Sequence, residues 1–191
     1  MNTKILPEGY EEYKKIDFVN SKKDAVIVNV CALIIAMLLI FLTDVPFKTV
    51  IPKGGFFPVI LKIVLLLIAL FAYIVLHEAI HGIAIGLFTK SRPHFGIKST
   101  YAYTGSEGYI DKRSYIIIAL APMIILGACL LAILFSVPIE WYWFVYILVI
   151  LNFAGSAGDL YVTWLTLRLP KGALIHDEGV TITVFVENLF K

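Results

Sequence analysis

The sequence predicts an all-α membrane protein with about four transmembrane helices and a small cytosolic β-hairpin between helices 2 and 3. Three observations predict this fold class. Of the 191 residues, 60% are hydrophobic and only 16% are charged. The apolar residues fall into four long blocks, and the basic residues are concentrated at one side of them. The mean hydropathy of +0.88 exceeds what one soluble domain of this length can bury. The net charge of +2 gives no field that would attract nucleic acid.

The four blocks define the predicted spans, which cover residues 25–42, 56–88, 115–137 and 141–167. The first block has 18 residues without a charge, close to the roughly 20 that cross a hydrocarbon core. The second block has 33 residues, more than a bilayer needs, so we expect it to tilt, to break at Gly82 or Gly86, or to extend beyond the membrane. The predicted membrane domain is residues 25–170, between an N-terminal segment (1–24) and a tail (171–191).

The distribution of lysine and arginine predicts the orientation of the spans. With both termini in the cytoplasm, thirteen of the sixteen basic residues lie on the cytoplasmic side. Only Lys48 and Lys53 lie outside, and Lys62, near the start of the second span, can extend to the outer interface. Trp141 is then an aromatic anchor at that interface. The sequence therefore predicts an integral, multi-pass cell membrane protein with cytoplasmic termini.

Two segments outside the spans have the pattern of β-strands. In Phe95–Ile110, aromatic residues alternate with polar ones, and Thr104–Gly108 is typical of a turn. This segment is the predicted cytosolic hairpin. Gly179–Glu187 is rich in β-branched residues with a period of two, so the tail contains a candidate strand.

The second span contains the motif His-Glu-x-x-His, at residues 77–81. On a helix, residues four apart share a face, so His77 and His81 can reach one metal ion. Zinc accepts two imidazoles and a carboxylate and leaves a fourth position for water. Glu78 could then act as general base toward that water. Random placement of the same residues predicts only about 0.003 such motifs in the chain. Ionisable groups inside a span also indicate function, because each is costly to place there.

Asp159 is the strongest candidate for a third ligand. It lies 9 residues before Arg168, or about 13 Å from the inner end of the fourth span. His81 lies at a similar depth, about 12 Å from the inner end of the second span. The remaining candidates lie in the loop and the tail: His94, Glu107 and His176.

Asn152 lies seven residues before Asp159, on the same face of the predicted helix. Its amide could donate a hydrogen bond to a developing oxyanion or contact the substrate. Residues of this kind equally often join membrane helices to one another. The sequence leaves both roles open.

Together these features resemble those of site-2 proteases, which are intramembrane zinc metalloproteases. The shared features are the His-Glu-x-x-His motif in a span, a cytosolic hairpin after it, the segment Ala119–Pro122, and a later helix with Asn152 and Asp159. The chain is more closely similar to a zincin peptidase family of small bacterial membrane proteins, over roughly residues 56–170.

The resemblance implies that His77, His81 and Asp159 bind zinc and that Glu78 is the catalytic base. The helix with the aspartate departs from the site-2 pattern Asn-x-x-Pro-x-x-x-Leu-Asp-Gly. Gly155 stands in place of the proline, and a glycine precedes the aspartate instead of following it.

Two classes of function remain after these arguments. The first is a membrane-embedded zinc metallopeptidase that hydrolyses a peptide bond of a membrane-associated peptide or protein near the cytosolic side. The alternative is a non-hydrolytic metal-binding membrane protein, either a transporter element or a degenerate protease that acts as a binding module. The intact Glu78 favours the peptidase, because a pure metal site does not need it. In both cases the partner is the lipid bilayer and not nucleic acid.

Overall fold

The computed structural model describes residues 2–17, 20–50, 56–89, 91–98, 101–179 and 181–188. Its helices are α1 (Lys22–Leu42), α2 (Phe56–Thr89), α3 (Lys112–Leu134), α4 (Tyr142–Gly155) and α5 (Ala157–Leu167), with 3-10 turns at Phe47–Val50 and Ile139–Trp141. Its strands are β1 (Tyr10–Asp17), β2 (Pro93–Lys98), β3 (Tyr101–Ser106), β4 (Tyr109–Asp111), β5 (Leu174–Asp177) and β6 (Thr181–Glu187). Three of the basic residues counted above, Lys53, Lys90 and Lys191, lie outside the described residues.

Among the described residues, four helical segments are long and apolar enough to cross a membrane: α1, α2, α3, and α4 together with α5. The predicted number of such segments is confirmed. In the most apolar stretches of α1 and α2, no residue is buried by the rest of the protein. Leu38 and Phe71, for example, expose 58% and 71% of their surfaces. Apolar surfaces of this extent need an apolar solvent, which a bilayer supplies.

The helix α2 runs unbroken through 34 residues, which corresponds to about 51 Å. It therefore extends beyond the thickness of a hydrocarbon core, and the proposed breaks at Gly82 and Gly86 are absent. Gly82 has a packing role instead. A Cβ atom there would lie 2.4 Å from the Phe95 ring, so the missing side chain lets β2 approach the helix.

The helix α3 begins and ends three residues earlier than the predicted span. It begins at Lys112 because Asp111 caps it: the Asp111 carboxylate accepts hydrogen bonds from the amides of Arg113 and Ser114, at 3.0 and 3.2 Å. It ends at Leu134, shortly before Pro138. The residue before a proline is disfavoured in helical conformation, so the helix cannot continue to Val137 as predicted.

The fourth span, predicted as one helix, is interrupted at Ser156. Its φ and ψ are −78° and 11°, outside the helical values, and it separates α4 from α5. Gly155 and Gly158 flank the interruption, and glycine is a poor helix former. The interruption places Asp159 in the first turn of α5, where the helix dipole favours a negative charge.

The prediction of an all-α protein with one hairpin is wrong, because six strands form two sheets within the part of the chain that the structure describes. One sheet has four strands in the order β1-β6-β5-β4, with all neighbours antiparallel. The N-terminal segment contributes β1, and the tail contributes both β5 and β6. Because β1 pairs with β6, two segments from opposite ends of the sequence lie side by side.

The predicted hairpin is present as β2 and β3, which pair from Pro93–Ser106 to Lys98–Tyr101. Its turn was assigned wrongly: Thr104 to Ser106 belong to β3, and β4 belongs to the other sheet. The strands β2 and β3 are separated in sequence by residues 99 and 100, which are not among the described residues. The predicted tail strand, Gly179–Glu187, is confirmed as β6 over Thr181–Glu187. Residue 180 of the predicted segment lies outside the described residues.

The four-stranded sheet packs against one end of the helix bundle, which we call the sheet end. Its inward side chains, including Ile110, Ile175 and Ile182, form one buried core with Ile85 of α2 and Tyr115 of α3. At the opposite end of the bundle, the Lys62 ammonium donates a hydrogen bond to the Glu140 carbonyl and lies 5.1 Å from the centre of the Trp141 ring.

Candidate metal centre

The two motif histidines lie side by side on α2, one helical turn apart. The centres of the His77 and His81 rings are 5.0 Å apart, with the ring planes nearly perpendicular. Their side chains expose only 12% and 13% of their surfaces. This proximity follows from the helical period, which brings residues four apart onto one face.

The fourth span brings Asp159 to the same place. Its carboxylate oxygens lie 3.3 Å from the Nε2 atom of His77 and 3.5 Å from the Nε2 atom of His81. One ligand atom from each of these three residues lies within 4.8 Å of the other two, and no other group of three metal-ligating side chains occurs within the described residues.

The remaining candidate ligands are used elsewhere or point away from this group. The His176 ring stacks on Tyr109, with ring centres 5.1 Å apart, and its Nδ1 atom lies 3.2 Å from the carbonyl oxygen of Gly108. His94, on β2, packs over Gly105 of β3. Glu107 is exposed in the bend after β3.

The three side chains fit a zinc ion by donor chemistry and by spacing. Two imidazoles and one carboxylate are a ligand set that catalytic zinc sites use. Zinc–ligand bonds of 2.0–2.1 Å in a tetrahedral arrangement separate neighbouring donor atoms by about 3.3 Å. The observed separations of 3.3 and 3.5 Å match this value.

A backbone carbonyl of α3 contacts the Nδ1 atom of His81, the ring nitrogen that does not face Asp159. The Nδ1 atom lies 3.0 Å from the carbonyl oxygen of Ile118. In a regular helix, the amide of residue 122 would donate to this carbonyl, but Pro122 has no amide hydrogen. The proline of the Ala119–Pro122 segment thus leaves a free acceptor opposite His81. Since a carbonyl can only accept, Nδ1 carries the hydrogen and Nε2 faces Asp159.

Two hydrogen-bonded side chains, Tyr73 and Asn152, hold the Nδ1 atom of His77, the ring nitrogen that does not face Asp159. The Nδ1 atom lies 3.2 Å from the Tyr73 hydroxyl, which in turn donates to Oδ1 of Asn152 at 3.3 Å. The Asn152 amide nitrogen donates to the carbonyl of Met123 on α3, at 3.0 Å. Asn152 is completely buried, and within the described part of the chain it is not among the residues that line the cavity beside the histidines.

The carboxylate of Glu78 is held by the hairpin. The Thr104 hydroxyl, on β3, donates to Oε2 of Glu78 at 2.7 Å. The same hydroxyl lies 3.2 Å from the backbone carbonyl of Glu78. The hairpin that follows the second span therefore contacts the residue that the motif predicts as the base.

A cavity of about 590 Å³ opens beside these residues. Its lining includes residues from all five helices and from strands β3 to β6, with His77, Glu78, His81 and Asp159 on its wall. Apolar side chains make up most of the rest of the lining. The site thus combines a few polar groups with an apolar enclosure, as ligand and substrate sites generally do.

A further acid, Asp177, lines the cavity from the end of β5. It accepts hydrogen bonds from the Tyr115 hydroxyl and the Gly179 amide, both at 2.7 Å. Burial raises the pKa of Asp177, and these hydrogen bonds act in the opposite direction. The carboxylate is therefore engaged with the tail and α3 and is not part of the three-residue group.

Comparison with known proteins identifies the class to which this fold and site belong. A family model described as "Putative zincin peptidase" matches residues 70–174. The match covers more than half of the chain, from the middle of α2 to the start of β5, and it includes all three residues of the group. The chain belongs to this zincin peptidase family. Membership implies a zinc cofactor, which agrees with the fit of the donor set. No significant match was found among curated proteins or among solved structures.

Proposed function

We propose that this chain is a membrane-embedded zinc metallopeptidase of the site-2 type, which hydrolyses a peptide bond of a membrane-associated substrate near the cytosolic side. One observation carries the proposal. Three largely buried ligand side chains and a carboxylate with the sequence position of a catalytic base converge on one cavity at the sheet end of an apolar helix bundle.

The chemistry follows from the roles of the individual side chains. His77, His81 and Asp159 would hold the ion. Bound zinc supplies a Lewis acid and a water of lowered pKa. Glu78 accepts the proton of the attacking water and returns it to the leaving amine nitrogen. Thr104 holds the Glu78 carboxylate by its hydrogen bond, so that the base keeps one orientation.

The hairpin offers a place for an extended substrate. The strand β3 pairs with β2 along one edge, and within the described residues its other edge has no strand partner. Ala102, Tyr103 and Thr104 of β3 line the cavity. A peptide that adds to this edge would present its backbone to the site. A helical segment hides its carbonyls, so a transmembrane substrate must unwind locally before it is cut.

The proposed cytosolic position of the site rests on charge and topology. The strands β1 and β6, which lie near opposite ends of the sequence, pair with each other at the sheet end. Most basic residues are near those ends or in the loop between α2 and α3. Cytosolic loops of membrane proteins are enriched in such residues. The contact of Lys62 with Trp141 at the opposite end is typical of a membrane–water interface, which is the outer one in the proposed orientation.

Removal of the metal tests the proposed function. The full chain, reconstituted in lipid vesicles with a pool of synthetic single-span peptides, is expected to release cleavage products that mass spectrometry detects. Treatment with 1,10-phenanthroline should abolish cleavage, and one equivalent of zinc per chain should restore it, because a single site holds the ion. Cleavage that persists after complete zinc removal contradicts the proposal. Metal binding without cleavage of any peptide, with metal uptake by vesicles that is unchanged in Glu78→Gln, supports the non-hydrolytic alternative.

A further inference from the structure

We propose that Tyr73 and Asn152 are positioning residues that fix which nitrogen of His77 carries the hydrogen. This inference rests on the proposed metal site and assigns Asn152 a role different from that of an oxyanion donor. It concerns two residues that lie outside the His-Glu-x-x-His motif, and it follows from the direction of three consecutive hydrogen bonds.

The donor and acceptor roles in this series of hydrogen bonds are set at the Met123 carbonyl. Asn152 approaches the Met123 carbonyl at 3.0 Å. A carbonyl oxygen can only accept, so the amide nitrogen of Asn152 must face it, and the amide oxygen must face Tyr73. The site is tightly packed, since a Cβ atom at Gly127 would lie 2.9 Å from that amide nitrogen. The absence of a side chain at Gly127 therefore gives Asn152 its place.

The orientation of Asn152 determines that of Tyr73. A tyrosine hydroxyl has one hydrogen, and here it is donated to the Asn152 oxygen at 3.3 Å. The hydroxyl therefore presents a lone pair to His77, 3.2 Å away. It follows that Nδ1 of His77 is the donor and that Nε2, which faces Asp159, is left to bind a metal. The hydrogen bond made by one ring nitrogen thus decides which nitrogen is available to the ion.

In both histidines the hydrogen is on Nδ1 and Nε2 is left for a metal, but the hydrogen-bond partners differ. His81 donates directly to the carbonyl of Ile118, whereas His77 donates through Tyr73 and Asn152 to the carbonyl of Met123. Both series of hydrogen bonds end at backbone carbonyls of α3. The helix α3 thus orients both imidazoles of α2, although it contributes no ligand of its own to the group of three.

Loss of the Asn152 oxygen has a specific consequence. In Asn152→Leu, a change of similar volume, the Tyr73 hydroxyl loses the Asn152 oxygen and is left between Ser156 and Nδ1 of His77, so its hydrogen can turn toward Nδ1. The ring hydrogen then moves to Nε2, and a nitrogen that carries a hydrogen cannot ligate a metal. In Tyr73→Phe, Nδ1 of His77 loses its acceptor. Substitution of such supporting residues typically weakens metal binding about 10- to 100-fold.

Cobalt titration of the full chain in lipid nanodiscs tests the inference without any activity measurement. We expect Tyr73→Phe and Asn152→Leu each to raise the Co²⁺ dissociation constant about 10-fold. The double variant should bind no more weakly than the weaker single variant, because without the tyrosine hydroxyl the residue at position 152 no longer acts on His77. Tyr146→Phe is the matched control: it removes a hydroxyl that donates to the Leu39 carbonyl, away from the histidines, and should bind Co²⁺ like the wild type.

Each outcome is decisive. Wild-type affinity in Tyr73→Phe, or single effects that add to about 100-fold in the double variant, overturns the inference and leaves the proposed function intact. Failure of the wild-type chain to bind Co²⁺ overturns the proposed function, and the inference with it. Thermal unfolding of the metal-free proteins separates misfolding from weak binding. If Asn152→Leu does not fold, Tyr73→Phe, which removes a single oxygen atom, decides alone.

Discussion

Replacement of Glu78 by glutamine is expected to abolish cleavage and to leave zinc bound. Glutamine has the same size and can still accept the hydrogen bond from Thr104, but it cannot take a proton from water. Loss of a general base typically costs about 10²- to 10⁴-fold in rate. Glu78 is not one of the three residues whose ligand atoms converge, so zinc content, measured by elemental analysis, should stay at the wild-type value.

Two further variants give this prediction its controls. Thr104→Val keeps the shape of the threonine and removes its hydroxyl, so Glu78 remains but loses the hydrogen bond at 2.7 Å. We expect a smaller fall in cleavage rate, about 10-fold, with zinc retained. Glu107→Gln changes an exposed acid in the bend after β3 and should have no effect. Undiminished cleavage by Glu78→Gln contradicts the assigned mechanism.

Replacement of Asp159 by alanine is expected to remove the metal. The aspartate is the only carboxylate in the group of three, and its two oxygens each face one histidine. Without it, only two imidazoles remain, fewer than the three protein ligands of a catalytic zinc site. Zinc content after dialysis should fall from about one per chain to nearly none, and cleavage should fall with it.

Asp177→Asn is the matched control for Asp159→Ala. Asp177 is an acid on the wall of the same cavity, but its carboxylate is engaged by Tyr115 and Gly179. Asparagine can still accept the hydrogen bond from Tyr115, so we expect this variant to fold and to keep its zinc. Retention of zinc by Asp159→Ala together with its loss in Asp177→Asn would assign the third ligand to the tail and contradict the site described above.

The helices and the motif could be predicted because their signals are local. A span is defined by consecutive apolar residues, and the approach of His77 to His81 follows from the period of a helix. The position of Asp159 required one further step, the comparison of depths in two helices. That comparison does not depend on the interruption at Ser156, since the residues from Asp159 to Arg168 all lie in α5 and its C-cap.

The four-stranded sheet could not be predicted because its pairing is not local. In β1, the sequence Tyr-Glu-Glu-Tyr-Lys-Lys-Ile-Asp buries only Ile16, so the alternation typical of a half-buried strand is absent. Its partner, β6, lies more than 160 residues away in the sequence. Strands β4 and β5 have three and four residues, too few for a periodic signal. Each is stabilised by packing against the helix ends and not by its own pattern.

The residues that form hydrogen bonds to the candidate ligands and to Glu78 could not be predicted either, because most of these contacts join residues far apart in the sequence. Thr104 and Tyr73 are ordinary residues of a strand and a helix, and only the fold brings their hydroxyls to Glu78 and His77. Pro122 had a local signal, since a proline inside a helix frees the carbonyl four residues before it. Its partner His81, however, is on another helix and could be identified only from the structure.

X-ray absorption at the zinc edge tests the central claim most directly, because it reports the atoms bound to the metal in the intact protein. For the purified full chain in lipid nanodiscs, we predict a shell of nitrogen and oxygen atoms at about 2.0–2.1 Å, with the scattering pattern of two imidazoles. This is the shell that His77, His81 and Asp159 would supply. A sulfur atom at about 2.3 Å, from Cys31 or Cys129, or a shell without imidazole contradicts the assigned site.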